Sequence, residues 1–281
     1  MLRKLHLSVL LLALLPAHLF SQSAEVGLFL GTATYKGEIN KSLFNPVFLK
    51  PAIGILYRSN FNNHWSYRLA LTYGTMGAED SRSDDDYQKN RNLSFRTHTW
   101  DGSFVFEFNF LDYQVANPES RFSPFIFGGL AGFYFNPQAE LNGDWYNLQP
   151  LGTEGQGTSA YPDRDKYNRI QLALAFGGGV KIKVAKRLGI TIEAGPRRLY
   201  TDYFDDVSTT YADPDVLQTQ NGELSAVLGD RSIDGQSVDN TDRQRGNASD
   251  KDYYMFTGIT LNYALSKKHY DNCTPFKSKL R

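Results

Sequence analysis

Between residues 170 and 184 the chain alternates apolar with small or polar positions at every step. Ile170, Leu172, Leu174, Phe176, Gly178, Val180, Ile182 and Val184 fall on one side; Gln171, Ala173, Ala175, Gly177, Gly179, Lys181 and Lys183 fall on the other. Successive side chains of a strand point to opposite faces, so a period of two predicts a strand with one greasy side. In 98–110, Trp100, Phe104, Phe106, Phe108 and Phe110 oppose Asp101, Ser103, Glu107 and Asn109. The alternation recurs over 65–74, 188–197 and 253–265, and more weakly over 25–33, 51–60 and 122–135. That makes eight strands.

The linkers between these segments alternate in length. Long ones fall at 34–48, 78–93, 136–168 and 201–251; short ones fall at 60–63, 112–121 and 185–187. Strands of about ten residues can cross a bilayer when tilted, and short turns at one end with long loops at the other mark an outer-membrane barrel. The expected fold is therefore all-β: an eight-stranded antiparallel transmembrane β-barrel of the outer membrane, with long extracellular loops and a short periplasmic C-terminal tail. A soluble lipocalin-like barrel would instead place Trp and Phe inside. The polar positions Glu25, Arg58, Arg68, Asp101, Glu107, Lys181, Lys183, Glu193 and Arg197 then point into the lumen. Four acids and five bases can neutralise one another there. Eight strands leave an interior just wide enough for side chains, so a plugged barrel is expected, not a pore.

The N-terminus fits this address. Arg3 and Lys4 precede the apolar run Leu5–Leu15, which is too short for a membrane-spanning helix, and small residues follow at Ser21, Ser23 and Ala24. This reads as a cleaved signal peptide over 1–23, leaving the barrel at 24–265 and a periplasmic tail at 266–281. Both termini of the barrel are expected on the periplasmic side. The lone cysteine, Cys273, lies in that tail, where an oxidising compartment permits an intermolecular bridge or a free thiol. Thirty basic and thirty acidic residues cancel, which gives no electrostatic case for a nucleic-acid partner.

Little catalytic chemistry is visible. His64, His98 and His269 have no ligand spacing and no Ser or Asp dyad beside them. FGGGVKIKV (176–184) lacks the Lys-Ser/Thr ending and the following helix of a phosphate loop. The stretch 201–215 holds five aspartates, including Asp202, Asp205 and Asp206, and 239–252 on the same long loop is also acidic, but the loop shows no EF-hand spacing. A solvated hydrogen-bonded loop, weak calcium binding and a protein-contact role all fit it. The reading favoured is local capping by Asp that orders a long loop. No catalytic, metal or cofactor residue is assigned, and the protein is expected not to be an enzyme.

Several blocks carry a resemblance. RNLSFRT (91–97), PFIFGGLAGFYFNPQAE (124–140), PLGTEGQG (150–157), FGGGVKIK (176–183), TDYFDDVSTTY (201–211), LGDRS (228–232), QRGN (244–247) and KDYYMFTGITLNY (251–263) together resemble the PorG-like family of outer-membrane barrels of the type IX secretion system. The resemblance implies a non-enzymatic component that anchors a periplasmic ring, made of a lipoprotein and a soluble partner, to the outer membrane and the translocon. It adds Gly152, Thr153, Glu154 and Gly155 to the loop-ordering set, and it makes Cys273 a possible tether to the ring lipoprotein. Pro196 departs from the family's pattern; since proline cannot donate to a ladder, the seventh strand is expected to end or bulge there. The alternatives are a structural or adhesive surface barrel unrelated to secretion, and a lipid- or peptide-modifying outer-membrane enzyme.

Overall fold

The computed structural model describes residues 23–234 and 238–265. The signal segment and the tail with Cys273 therefore lie outside the described residues, apart from Ser23. Eight long strands form one closed antiparallel barrel. They are β1 (Ser23–Lys36), β2 (Lys50–Asn60), β3 (Trp65–Glu79), β4 (Ser94–Asn109), β5 (Phe122–Tyr134), β8 (Ile170–Lys183), β9 (Leu188–Leu199) and β10 (Tyr253–Ala264). Each pairs with its neighbour in the chain, and β1 pairs with β10 to close the ring. A small hairpin, β6 (Pro137–Leu141) and β7 (Asp144–Asn147), extends from the upper end of β4. The eight strands expected from the alternation are the eight of the barrel.

The alternation sorts the wall into two faces. Leu30, Ile55, Leu130, Ile170, Leu172 and Ile259 are each at least half exposed, while their immediate neighbours Phe29, Leu56, Ala131 and Ala173 are buried. An exposed wall of Leu and Ile around a closed ladder is a lipid-facing surface. The closed ladder pairs strand backbone within the ring, which hydrocarbon cannot do. Among the described residues no helix is long and apolar enough to cross a membrane. Aromatic side chains gather at the two rims of this belt. Trp65 packs on Phe108 at one rim, with centroids 4.9 Å apart, and Tyr73 on Trp100 at the other, 5.0 Å apart. Trp65 and Tyr73 lie on one face of β3, about 26 Å apart along the strand at its usual rise. Rings with a polar edge suit that boundary.

The short turns 61–64, 110–121 and 184–187 lie at one end, together with the start of β1 and the end of β10. The long connections 37–49, 80–93, 135–169 and 200–252 lie at the other. Two of these ends are more elaborate than the linker pattern suggests. The 110–121 turn folds back under the barrel as a floor and buries Tyr113, Gln114 and Val115. The long connections carry four short helices: α1 (Asp86–Arg91), α2 (Leu148–Leu151), α3 (Pro214–Gln220) and α4 (Glu223–Gly229).

Two expectations need correction. Strand β9 runs through Pro196 to Leu199, with Pro196 opposite Met255 on β10. Only the β8–β9 pairing lapses, between Ala175↔Arg197 and Gly178↔Ala194, and it resumes in the same register. Pro196 thus loses ladder bonds on one side without ending or offsetting the strand. Second, the lumen is not polar throughout. Its long-loop half is filled by buried aromatic rings, including Tyr35, Phe95, Phe133, Phe135, Tyr254 and Phe256.

A charge placed on the lipid face tests the orientation of the wall. Leu130→Arg, in the middle of β5, is expected to destabilise the barrel by about 2–4 kcal/mol in denaturant unfolding from lipid vesicles. The same change at Ile233, an exposed loop residue, should leave the midpoint unmoved. Equal effects at both positions would contradict a lipid-facing β5.

Candidate functional site

Register builds the lower lumen. Glu25 on β1 lies opposite Arg58 on β2, and Arg58 lies opposite Arg68 on β3. Glu107 on β4 completes the set. Arg58 reaches Glu107 through Nε at 2.7 Å and Glu25 through a terminal nitrogen at 2.8 Å. Arg68 pairs with Glu107 at 3.0 Å and with Glu193 at 2.6 Å. Lys181 donates to Glu107 at 2.6 Å and to Asn109 at 2.8 Å. Glu107 therefore receives three cations, and it is completely buried. The other oxygen of Glu25 accepts from Asn60 and from the Val115 amide of the floor turn. Lys183 lies at the edge of this layer and donates to the Asn117 carbonyl in the same turn.

A second, smaller pair sits higher. Arg197 meets Asp101 at 3.2 Å, and the Tyr254 hydroxyl donates to the same Asp101 oxygen at 2.7 Å. Aromatic rings cover the cations from the side: Phe127 lies 4.7 Å from Arg68, Phe125 lies 4.5 Å from Lys181, and Phe256 lies 5.0 Å from Arg197. Desolvated charges are costly unless paired and hydrogen-bonded, and here each has both an ionic and a packing partner.

The long-loop end is closed by a cap. Phe204, wholly buried, enters the mouth from the β9–β10 connection and packs among Tyr35, Phe133, Phe135 and Tyr254, with centroids 5.3 to 6.1 Å away. The aspartates beside it fix the loop. Asp202 accepts from Ser208 at 2.6 Å and pairs with Lys251 at 3.1 Å. Asp205 accepts the Val207 amide at 3.0 Å and the Tyr35 hydroxyl. Asp206 accepts from Thr153 at 2.5 Å and from Tyr167 at 2.6 Å. Its backbone is left-handed (φ 66), which Asp tolerates better than most residues. Glu154 accepts the amides of Ser208 and Thr209 and pairs with Arg245 at 2.9 Å. Gly152 and Gly155 carry φ of +61 and +88, the turn geometry that presents Thr153 and Glu154 to the aspartates.

Two arginines join the remaining loops. Arg245 also donates to the carbonyls of Gly229 and Asp206. Arg91, at the end of α1, holds Asp80 with two bonds of 2.7 and 2.8 Å and reaches the carbonyls of Arg245 and Glu38. All four long connections are thereby tied into one buried assembly. Asp202, Asp205, Asp206 and the 152–155 segment, far apart in sequence, meet there.

Sequence reasoning missed Glu38 in this cap and met Asp252 only as a member of the acidic stretch 239–252. Glu38, just beyond β1, and Asp252, just before β10, lie with Asp205 so that one oxygen of each falls within 4.8 Å of the others. All three are buried. Burial pushes the Glu38 carboxyl up to about 9, helped by the Asp205 charge and opposed by Lys41. Burial likewise raises Asp205 to about 7, against the Tyr35 hydroxyl, the Val207 amide, Arg91 and Arg245. Asp252 is raised well above its ordinary value by burial, then by Asp205, Glu38 and Asp202. Asp206 is raised by burial to about 6, with Arg245 pulling the other way. These residues come from three separate stretches of chain. The only local sign is an acid within two residues of each terminal strand.

The histidines form no catalytic arrangement among the described residues. His64 sits in a turn between the Asn109 carbonyl at 2.9 Å and Asp112 at 3.0 Å. His98 bonds the Tyr73 hydroxyl at 2.7 Å at the aromatic rim. His269 lies outside the described residues.

Glu107→Ala strips one carboxylate from three cations and is expected to cost about 3–5 kcal/mol in unfolding experiments; a loss below about 1 kcal/mol would mean the cations find other partners. The acids of the cap set a pH dependence. The folded cap holds protons on Glu38, Asp205 and Asp252 that an unfolded loop releases near its ordinary carboxyl range, about pH 4. Their contribution is complete below that range and is lost as pH rises through about 7 for Asp205 and about 9 for Glu38. In chelator, proteolytic cutting of the 200–252 loop should accelerate between pH 5 and pH 9 while the barrel stays folded. A rate rising only as cleavage chemistry itself rises, matched by an unfolded reference peptide, would refute this.

No curated protein matches the chain. Among solved structures it is similar to Ail, the attachment invasion locus protein of Yersinia pestis, determined in complex with the heparin analogue sucrose octasulfate. Identity is 12%, covering 86% of this chain and 97% of that one, with a TM-score of 0.38. It is also similar to Neisserial surface protein A, at 8% identity over 85% of this chain and 96% of that one, with a TM-score of 0.41. The outer membrane protein OprG of Pseudomonas aeruginosa gives 7% identity, 86% and 96% coverage, and a TM-score of 0.39. At such scores nothing about binding passes from these proteins to this chain. Residues 3–227 match the family described as "Domain of unknown function (DUF6089)", and over that span the chain belongs to this family.

Proposed function

We propose that this protein is a non-enzymatic outer-membrane anchor of the type IX secretion machinery, fastening a periplasmic ring of lipoprotein and soluble partner to the membrane and the translocon. The observation that carries the anchor part is the sealing of the barrel at two levels. The Glu107 layer and its floor turn fill the lower lumen, and the Phe204 cap fills the upper one. A barrel plugged with paired charges offers no conduit, so its use is to hold something in the membrane. The identity of the machinery rests on the sequence resemblance to PorG-like proteins. The blocks quoted for it at 91–97, 150–157, 201–211, 228–232 and 244–247 supply Arg91, Glu154, the three aspartates, Gly229 and Arg245, which meet in the cap.

In the orientation usual for such barrels, long loops face outward and short turns face the periplasm. Both ends of the described barrel and the 110–121 floor then face the periplasmic ring. Leu265, the last described residue, lies at that end, and the sequence beyond it carries Cys273, which we propose pairs with a cysteine of the ring lipoprotein.

The test is purification of the tagged protein from outer membranes in mild detergent, with and without reductant. A co-purifying periplasmic lipoprotein, and a higher-mass band that collapses to two on reduction, are the expected results; Cys273→Ser should abolish that band. A barrel recovered alone under both conditions, with export intact in a deletion strain, would overturn the secretion role and leave a structural or adhesive surface barrel.

A further inference from the structure

The acids at the barrel mouth do not form a balanced network like the one below them. Neither oxygen of Glu38 has a hydrogen bond of good geometry although the residue is only 2% exposed, its own amide and that of Asn247 lending only weak support, and Oδ1 of Asp252 lacks a partner at 0% exposure. Among the described residues, none of Glu38, Asp205 and Asp252 has a basic nitrogen within ion-pair distance. Arg91, Arg245 and Lys251 are committed elsewhere, to Asp80, Glu154 and Asp202, while Lys41, the other cation that acts on Glu38, is exposed and forms no ion pair with it. Buried polar groups are otherwise nearly always satisfied, and a carboxylate left bare in a closed site is the costliest exception.

The surroundings are built to hold these oxygens in place. The Glu38 backbone is pinned by α1, whose Gln88 and Arg91 both donate to its carbonyl. The other oxygen of Asp252 is fixed by the Phe204 amide at 3.0 Å. Asp205 is oriented by the Val207 amide and the Tyr35 hydroxyl. Gly37 leaves the space through which Asp252 approaches; a Cβ there would lie 2.0 Å from Asp252 Oδ1. Bare oxygens from the end of β1 and the start of β10 thus converge with the hydrogen-bonded Asp205 carboxylate of the long loop.

We propose that Glu38, Asp205 and Asp252 together bind a hard divalent cation of the calcium class, which fastens the β9–β10 loop to the two strands that close the barrel. An all-oxygen, all-carboxylate donor set with no His or Cys suits Ca²⁺ or Mg²⁺ over zinc or copper. Ca²⁺ fits better, because Mg²⁺ demands a stricter octahedron and gives up its water reluctantly, whereas this site is buried and assembled from loops. The cation replaces the protons these acids would otherwise share, so binding releases protons and tightens as pH rises. The proposal does not depend on the secretion role.

The experiment uses the full-length barrel in detergent. Tb³⁺ serves as the probe, its luminescence sensitised by Tyr35, whose hydroxyl donates to Asp205. We expect saturable Tb³⁺ emission displaced by Ca²⁺ and poorly by Mg²⁺, and protection of the 200–252 loop from protease by Ca²⁺ but not by chelator. Glu38→Gln and Asp252→Asn should each weaken Ca²⁺ binding about tenfold or more, since ligand charge sets affinity in such sites. Asp239→Asn, an acid on the same loop outside the cluster, should not. Glu38→Gln keeps position 38 in the neutral form that burial favours without metal, so in chelator its cap should be at least as protease-resistant as the wild type; loss of the Ca²⁺ response is then not a folding defect. Barrel integrity is followed by heat-modifiable migration on gels. Absence of saturable binding, or unchanged Ca²⁺ affinity in both cluster variants, would overturn the proposal. A wild-type cap that gains resistance only from acid or from Glu38→Gln, and never from Ca²⁺, would identify a proton-sharing cluster in its place.

Discussion

The Glu107 carboxylate, with Arg58, Arg68 and Lys181 converging on it, is the interaction on which the rest of this barrel leans. Eight strands enclose too little room for water to solvate a charge and too much to leave empty. Much of the wall's apolar surface looks outward to lipid, so the core is confined to the lumen, where aromatic rings fill the long-loop half. The lumen must therefore be packed with side chains that satisfy one another. Three cations on one carboxylate would be unbalanced alone. Glu25 and Glu193 share the load of Arg58 and Arg68, and Asn109 shares that of Lys181. Removing any one member exposes the charge of the others, which gives the layer its all-or-none character.

Above this layer the packing changes in kind. Rings of Phe125, Phe127 and Phe256 cover the cations, and Phe204 then caps the aromatic column from outside the barrel. A loop of some fifty residues would ordinarily be the most mobile part of such a protein. Here its aspartates accept backbone amides and hydroxyls from its own turn and from the 135–169 connection, while Arg245 and Arg91 bind it to carbonyls of its neighbours. The order of the cap comes from hydrogen bonds anchored on one buried ring.

Much of this was legible in the chain. The strands announce themselves because each must be apolar outside and small or polar inside, a contrast that period-two alternation displays directly. Glu25, Arg58, Arg68 and Glu107 stand out as charges on otherwise greasy strands, and the structure sets them together in the lumen. The aromatic half of the lumen is hidden by the same logic. Where Tyr254 and Phe256 turn inward in alternation with Tyr253 and Met255, both faces are apolar and the pattern vanishes. The floor turn is hidden because its role is a backbone amide, that of Val115, and backbone carries no sequence signature. Glu38 and Asp252 are hidden because their relation to Asp205 exists only once the first and last strands pair. That Lys36 lies opposite Tyr253 is what brings the acids flanking them to one place.

The two polar layers also differ in what they leave unfinished, and the difference separates their roles. In the lower lumen every acid has a basic partner, so that layer is complete as soon as the barrel closes and needs nothing from outside. In the cap the acids outnumber the bases that reach them. Arg91 and Arg245 are spent on Asp80, Glu154 and backbone carbonyls, and bare oxygens remain on Glu38 and Asp252. A cluster of this kind is stable only when something positive, a proton or a metal ion, joins it. The lower layer therefore acts as a permanent seal, whereas the closure of the cap is conditional on its medium. Since the conditional layer ties the ends of β1 and β10 to the longest loop, what occupies it governs the one seam at which the barrel was closed.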